Sequence, residues 1–209
     1  MKPLFLTFAI AAHLTASPGA ADELELHRFD DQDSLTGWRA VNDGVMGGRS
    51  SGGPAYSANG LRFSGILSLE NNGGFSSIRK SERLDLSNYD GVRLKVRGDG
   101  RTYQVRFNTD SRFRGWPVSY SGSFETQAGQ WIVVDVPFAK LKQSFRGYNL
   151  SQYPFEPSKI RLLGMILADK QPGPFSLELK WIKAYRRSPQ ERSSQPIKST
   201  APPQNDSSQ

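Results

Sequence analysis

The chain has 209 residues, a formal net charge of +7 and no cysteine. The missing thiol excludes disulfides, thiolate metal sites and cysteine nucleophiles. Charged residues at 22%, with 20 Gly and 13 Pro, describe a turn-rich globular composition rather than a coiled coil or a wholly disordered chain.

In chain order, Lys2, the apolar run Leu4 to Leu14 and the small residues Gly19-Ala20-Ala21 have the layout of a signal peptide over residues 1–21, cleaved before Asp22. The run is short for a membrane span, so stable membrane insertion is not expected. The first arginine is Arg28, whereas mitochondrial transit peptides are rich in arginine. The segment therefore predicts an exported protein, periplasmic or secreted. From residue 22 to 187 the dominant hydrophobic period is two, broken every ten or so residues by Gly, Asp, Asn or Pro, the pattern of an all-β sandwich or barrel. Strands are predicted at Leu24–Phe29, Ala55–Ala58, Gly60–Leu69, Phe75–Arg79, Gly91–Arg97, Thr102–Asn108, Ser119–Phe124, Trp131–Pro137, Ile160–Ala168 and Phe175–Tyr185. A short helix fits only at Phe138–Ser144. Residues 188–209 are Ser, Gln and Pro with one strong apolar residue, Ile197, and are predicted to be a disordered tail.

The segment from Val92 to Asn108 centres on Asp99-Gly100, a two-residue type I′ signal, and predicts a hairpin. Counting outward pairs Val96 with Tyr103, Leu94 with Val105 and Val92 with Phe107 on one apolar face. Arg93, Lys95, Arg97 and Arg106 then fall on the other, with Arg93 opposite Arg106.

Three runs carry a resemblance: DLSNYDGVRLKVRGDGRTYQVRF (Asp85 to Phe107), QWIVVDVPFAKLKQSFRG (Gln130 to Gly147) and IRLLGMILADKQPGPFSLELKWIKAY (Ile160 to Tyr185). With VNDGVMGGRSSG (Val41 to Gly52) they make the chain similar to the complex I intermediate-associated protein family of thirty kilodaltons, in that family's motif order. The resemblance implies a jelly-roll β-sandwich of the galactose-binding-like kind. It also implies a chaperone-like role, since that family's best-known members help to assemble mitochondrial complex I. An exported protein would not meet the peripheral arm of complex I, so the resemblance carries the fold and leaves the protein partner unidentified.

Four regions are candidate sites. The glycine-dense loop Val41 to Gly53 lacks the Gly-Lys-Ser/Thr of a P-loop and any βαβ context. It reads either as a structural crossing at one end of the sandwich or as a ligand site using Asn42, Asp43, Arg49 and Ser50. The basic face of Arg93, Lys95, Arg97 and Arg106 reads either as internally paired, with Asp135 and Glu178 as candidate acids, or as a surface for an anionic protein, polysaccharide or lipid headgroup. Arg112, Phe113, Arg114 and Trp116 sit in a predicted loop, and Phe145, Arg146 and Tyr148 in a second long one. Exposed Trp and Arg are usual interface anchors, so these seven are the candidate partner-binding residues. Asp30, Asp31 and Asp33 cluster after the first strand; they read as an acidic turn, with oxygen ligation of calcium the other reading.

Catalytic equipment is sparse. The one histidine after residue 21, His27, lies in the first predicted strand, ahead of every candidate nucleophile. Asp135 and Glu178 form a carboxylate pair only if their spacing suits glycoside hydrolysis. No enzyme activity, cofactor, metal or nucleic-acid partner is expected. The sequence predicts a non-catalytic binding module resembling a chaperone or assembly factor, with a protein partner; the alternative is a carbohydrate-binding module.

Overall fold

The computed structural model describes residues 23–188. In chain order the strands are β1 (Glu23–Arg28), β2 (Trp38–Ala40), β3 (Ser51–Ser57), β4 (Gly60–Leu67), β5 (Ser76–Leu84), β6 (Gly91–Arg97), β7 (Thr102–Phe113), β8 (Trp116–Glu125), β9 (Trp131–Pro137), β10 (Lys142–Phe145), β11 (Tyr148–Asn149), β12 (Ile160–Leu167) and β13 (Gly173–Tyr185). They form two antiparallel sheets. Sheet A runs β3-β4-β13-β6-β9, and β1 pairs with the second half of β13. Sheet B runs β11-β10-β8-β7-β12-β5-β2. The architecture is a jelly-roll β-sandwich. The predicted signal peptide and the predicted tail from residue 189 onward lie outside the described residues.

Alternation decides which side of each strand is buried. Leu94, Val96, Phe63, Leu177 and Ile182 point inward from sheet A; Val105, Phe107, Tyr120, Leu163 and Met165 point inward from sheet B, and none is exposed. Each such side chain contributes about 1.5–3 kcal/mol of burial.

The predicted hairpin at Asp99-Gly100 does not form, although its apolar face is buried as expected. β6 pairs with β13 and β9 in sheet A, whereas β7 pairs with β8 and β12 in sheet B. The inner faces of two opposed sheets share the period of a hairpin face, so alternation alone does not separate the two arrangements. The turn chemistry does. Gly100 has φ +91°, but Asp99 is not in the left-handed region, and a type I′ turn needs both. Instead the Asp99 carboxylate accepts hydrogen bonds from the Tyr103 hydroxyl (3.0 Å) and the Ser176 N–H (2.8 Å). Arg101 binds Asp169 through two bonds of 2.9 and 2.7 Å, with both side chains about nine-tenths buried. These contacts carry the chain from one sheet to the other. Burial alone would raise the Asp169 carboxyl; the guanidinium and the Gln171 N–H hold it below its usual range.

Type I′ geometry appears elsewhere, twice. Arg114 and Gly115 (φ +50° and +84°) join β7 to β8, and Arg146 and Gly147 (φ +47° and +86°) join β10 to β11. The segment predicted as a loop around Arg112 to Trp116 is therefore a strand hairpin. The predicted helix at Phe138–Ser144 is one 3₁₀ turn, Phe138–Lys140, followed by β10. No helix among the described residues is long and apolar enough to cross a membrane.

Candidate functional site

Strand register on sheet B places one row of residues across its outer face: Arg39, Arg79, Gly164, Arg106, Ser121 and Lys142, each opposite the next. Arg79 and Arg106 thus flank a glycine, their Cα atoms roughly 10 Å apart at two strand spacings. Each makes one weak side-chain bond to a hydroxyl, Arg79 Nε to Ser77 (3.1 Å) and Arg106 Nε to Ser121 (3.3 Å). Among the described residues neither has a carboxylate within salt-bridge distance. Burial, with Arg79 adding repulsion, pushes Arg106 down to about 10; burial, with Arg39 adding, lowers Arg79 as well. Both remain cationic at neutral pH.

These arginines floor a groove of about 830 Å³. Asn108, Ser119 and Ser144 extend the floor on one side and Ile166 and Ala168 on the other. One wall carries Val45, Met46 and Lys170; the other carries Trp116, Phe145 and Arg146. Among the described residues the lining has four cationic side chains and no Asp or Glu. Three of its residues, Asn72, Arg146 and Lys170, hold left-handed backbone (φ +58°, +47° and +63°), a cost that non-glycine residues bear mostly at functional places.

The aromatic wall comes from the twin hairpins, whose tips repeat one motif: Phe113-Arg114-Gly115-Trp116 and Phe145-Arg146-Gly147-Tyr148. Phe145 lies 5.8 Å from Phe113 and stacks at 6.4 Å on Trp116. The Arg146 guanidinium sits 5.7 Å over the Trp116 ring, and that of Arg114 sits 5.3 Å over Phe113. Trp116 is 56% exposed and Tyr148 70%. The structure therefore brings Trp116, Phe145, Arg146 and Arg106 to one groove. Phe113 lies beneath, against Phe145 and Tyr153, while Arg112, Arg114 and Tyr148 are outside the lining.

The other predicted sites are otherwise employed. Asp43 is fully buried and clasps its own loop: its carboxylate accepts from the Ser50 N–H (2.8 Å), the Ser50 hydroxyl (2.5 Å), the Gly74 N–H (2.7 Å) and the Phe75 N–H (3.3 Å). Burial works to raise this carboxyl, and the four donors hold it below its usual 3.8. Asn42 donates to the Gly52 carbonyl and accepts from the Ser76 hydroxyl. The polar groups of Asn42, Asp43 and Ser50 are thus used within the fold, as the structural reading of that loop has them. Arg49 is exposed beside Glu70 at 3.2 Å. A Cβ on Gly48 would come within 2.4 Å of the Asp43 side chain, so that glycine serves close packing of the loop on itself.

The predicted single basic face is also corrected, because Arg106 lies on sheet B and Arg93, Lys95 and Arg97 on the outer face of sheet A. Arg93 is opposite Asp135, not Arg106, and binds it at 2.6 and 2.8 Å while reaching Glu23 at 2.8 Å. Arg97 pairs with Glu178, its Nε donating at 2.6 Å, and lies 5.3 Å from the centre of the Trp131 ring. Asp135 and Glu178 are opposite positions four residues apart on β6, about 13 Å along the strand, and each is held by its own arginine. That spacing exceeds the range for paired glycosidase carboxylates. His27 Nε2 is 2.9 Å from Glu82 Oε1 and packs against Phe29 and Trp38. Asp30 pairs with Lys180 at 2.8 Å. Sequence reasoning missed Arg79, Asn108, Lys170, Val45 and Met46; only the register of β5 on β12 reveals the first.

Residues 27–179 match the family model of Complex I intermediate-associated protein 30, and the chain belongs to that family. It is 28% identical over 179 residues to the mitochondrial complex I intermediate-associated protein 30 of Mus musculus, covering 76% of this chain and 55% of that one. A probable mitochondrial counterpart in Caenorhabditis elegans is 28% identical over 180 residues, covering 76% and 53%. The chain thus spans about half the length of these curated relatives. Among solved structures it is similar to a family 11 carbohydrate-binding module of a cellulosomal cellulase from Clostridium thermocellum, with TM-score 0.59, 14% identity and coverage of 81% and 97%. It is also similar to an agarase (TM-score 0.56, 9% identity, 79% of this chain and 25% of that one). At such identities the likeness establishes the fold alone. The curated relatives are mitochondrial by name, which overturns the expectation of a periplasmic or secreted protein.

Proposed function

We propose that this member of the complex I intermediate-associated protein 30 family is a non-catalytic binding module of an assembly factor, holding a protein partner against the outer face of sheet B. The observation that carries the reading is the pair of adjoining Phe-Arg-Gly-aromatic hairpins. They set Trp116, Phe145 and Arg146 along one edge of an open groove. Aromatic and arginine anchors in that arrangement are the usual centre of a protein interface. The curated relatives carry complex I intermediates in their names, which makes such an intermediate the first partner to test. The purified chain is incubated with isolated complex I assembly intermediates and resolved on native gels. Co-migration is expected, with at least a tenfold loss for the double variant Trp116→Ala, Phe145→Ala. Equal co-migration of the variant, or none by the wild type, contradicts the reading.

A saccharide is the second reading, favoured by the exposed Trp116, which shares the groove lining with Asn108 and Ser119. It predicts that a mixed-linked glucan tetrasaccharide shifts the Trp116 indole resonance; a flat titration removes it.

A further inference from the structure

The floor of the groove holds charges that have no counter-charge among the described residues. Arg79 and Arg106 stand on central strands of sheet B, half-buried, with only the hydrogen of Gly164 between them. Arg39 lies directly opposite Arg79, and like charges in that relation destabilise a sheet unless something negative completes them. Among the described residues nothing in the lining does so, and Arg146 and Lys170 add charge from opposite walls. The site is built rather than incidental. A Cβ at Gly164 would come within 3.2 Å of Arg79 Cγ and 2.6 Å of a backbone oxygen, so only glycine keeps the space between the guanidiniums open. Elsewhere in this protein a guanidinium in comparable surroundings takes a bidentate carboxylate, as Arg93 takes Asp135 and Arg101 takes Asp169.

We propose that Arg79 and Arg106 form a carboxylate-binding seat, and that the occupant of the groove is an extended, acidic segment of the partner protein: a Glu or Asp side chain between the two guanidiniums and an apolar neighbour against Trp116 and Phe145. The inference rests on the protein-partner reading and gives that partner its chemistry. A guanidinium fork matches a planar carboxylate through paired N–H donors, which is a geometric preference and not only attraction to charge. A groove with apolar side chains on both walls suits an extended peptide carrying one apolar side chain beside the acid.

The test uses the full chain and a blocked hexapeptide with two central glutamates flanked by phenylalanines, alongside its glutamine counterpart. Binding is followed by calorimetry and by the Nε–Hε resonances of Arg79 and Arg106. The glutamate peptide is expected to bind at least tenfold more tightly than the glutamine peptide and to shift both arginine resonances. The double variant Arg79→Gln, Arg106→Gln is expected to lose that preference, while Arg62→Gln, which removes one exposed charge from the outer face of sheet A, retains it. Arg79→Lys, Arg106→Lys keeps the charges and guards against misfolding; thermal melts of all variants accompany the binding data. Lysine is expected to recover only part of the preference. Equal binding of both peptides, full recovery by lysine, or unshifted Arg79 and Arg106 resonances overturns the seat. So does tighter binding of inorganic phosphate or of a sulfated disaccharide than of the glutamate peptide, which would assign the floor to a different anion. If the seat fails while Trp116→Ala, Phe145→Ala still abolishes co-migration with complex I intermediates, the protein-partner reading stands without it.

Discussion

On the outer face of sheet A, Arg93 is held by Asp135 and Glu23 and Arg97 by Glu178; on the outer face of sheet B, Arg79 and Arg106 flank Gly164 with no acid in register. The residue type is the same on the two faces, and all four arginines are partly exposed on inner strands. What differs is the neighbour one strand away. Carboxylates there hold Arg93 and Arg97 in ion pairs, joined at the edge by Lys183 on Glu23 at 2.8 Å. Glycine and serine there leave the charges of sheet B available to something outside the fold. The comparison teaches that a basic face is legible as scaffold or as site only through its cross-strand partners.

The largest expected effect is on the paired face. Glu178 is 8% exposed, and besides Arg97 it accepts from Ser57 and Asn59. Glu178→Gln is expected to lower the unfolding free energy by about 2–4 kcal/mol, because it leaves Arg97 half-buried without its charge partner. Urea unfolding measures this; a change under about 0.5 kcal/mol would break the comparison. The loop that supplies Val45 and Met46 to the groove tests the wall next. Asp43→Asn is expected to cost about 2–3 kcal/mol, since a neutral amide cannot accept all four bonds. The Asp43 carboxyl is held below 3.8 in the fold, so its stabilisation is complete above that pH and is lost as pH falls through the lower folded value. Wild type and Asp43→Asn should therefore converge in stability on acidification below about pH 4. A gap that persists undiminished at low pH contradicts this assignment.

On the unpaired face the expected effects are small and of opposite sign. Arg106→Met removes a partly desolvated charge that has no counter-charge among the described residues, so its unfolding free energy should stay level or rise by up to about 1 kcal/mol. A loss as large as that of Glu178→Gln would show that Arg106 is structural. Arg114→Asn places a residue that tolerates left-handed backbone at the first tip and should stabilise by about 1 kcal/mol. A decrease would show that the arginine's contact with Phe113 outweighs its backbone strain.

The sandwich was legible because period two marks most inner-facing residues, and β6 and β9 begin and end where alternation begins and ends. Sheet membership was not, since Val96 and Tyr103 show the same alternation whether they pair in one sheet or face each other across the core. The anchors Trp116, Phe145 and Arg146 were visible as aromatic and arginine residues. Their hairpins were hidden because arginine is not a residue that type I′ turns favour; the repeated Phe-Arg-Gly-aromatic motif was the available signal. Arg79 carried no signal, because its meaning comes from Gly164 and Arg106, which are distant in sequence and joined only by register.

The most direct test of the contrast between the faces supplies the missing acid to sheet B. Ser121 lies opposite Arg106 and already meets its Nε. In Ser121→Glu the account predicts a rise in unfolding free energy of about 1 kcal/mol together with loss of the glutamate peptide's preference, as the new carboxylate occupies the seat. A variant that is less stable than wild type, or that binds the glutamate peptide as wild type does, would contradict the account.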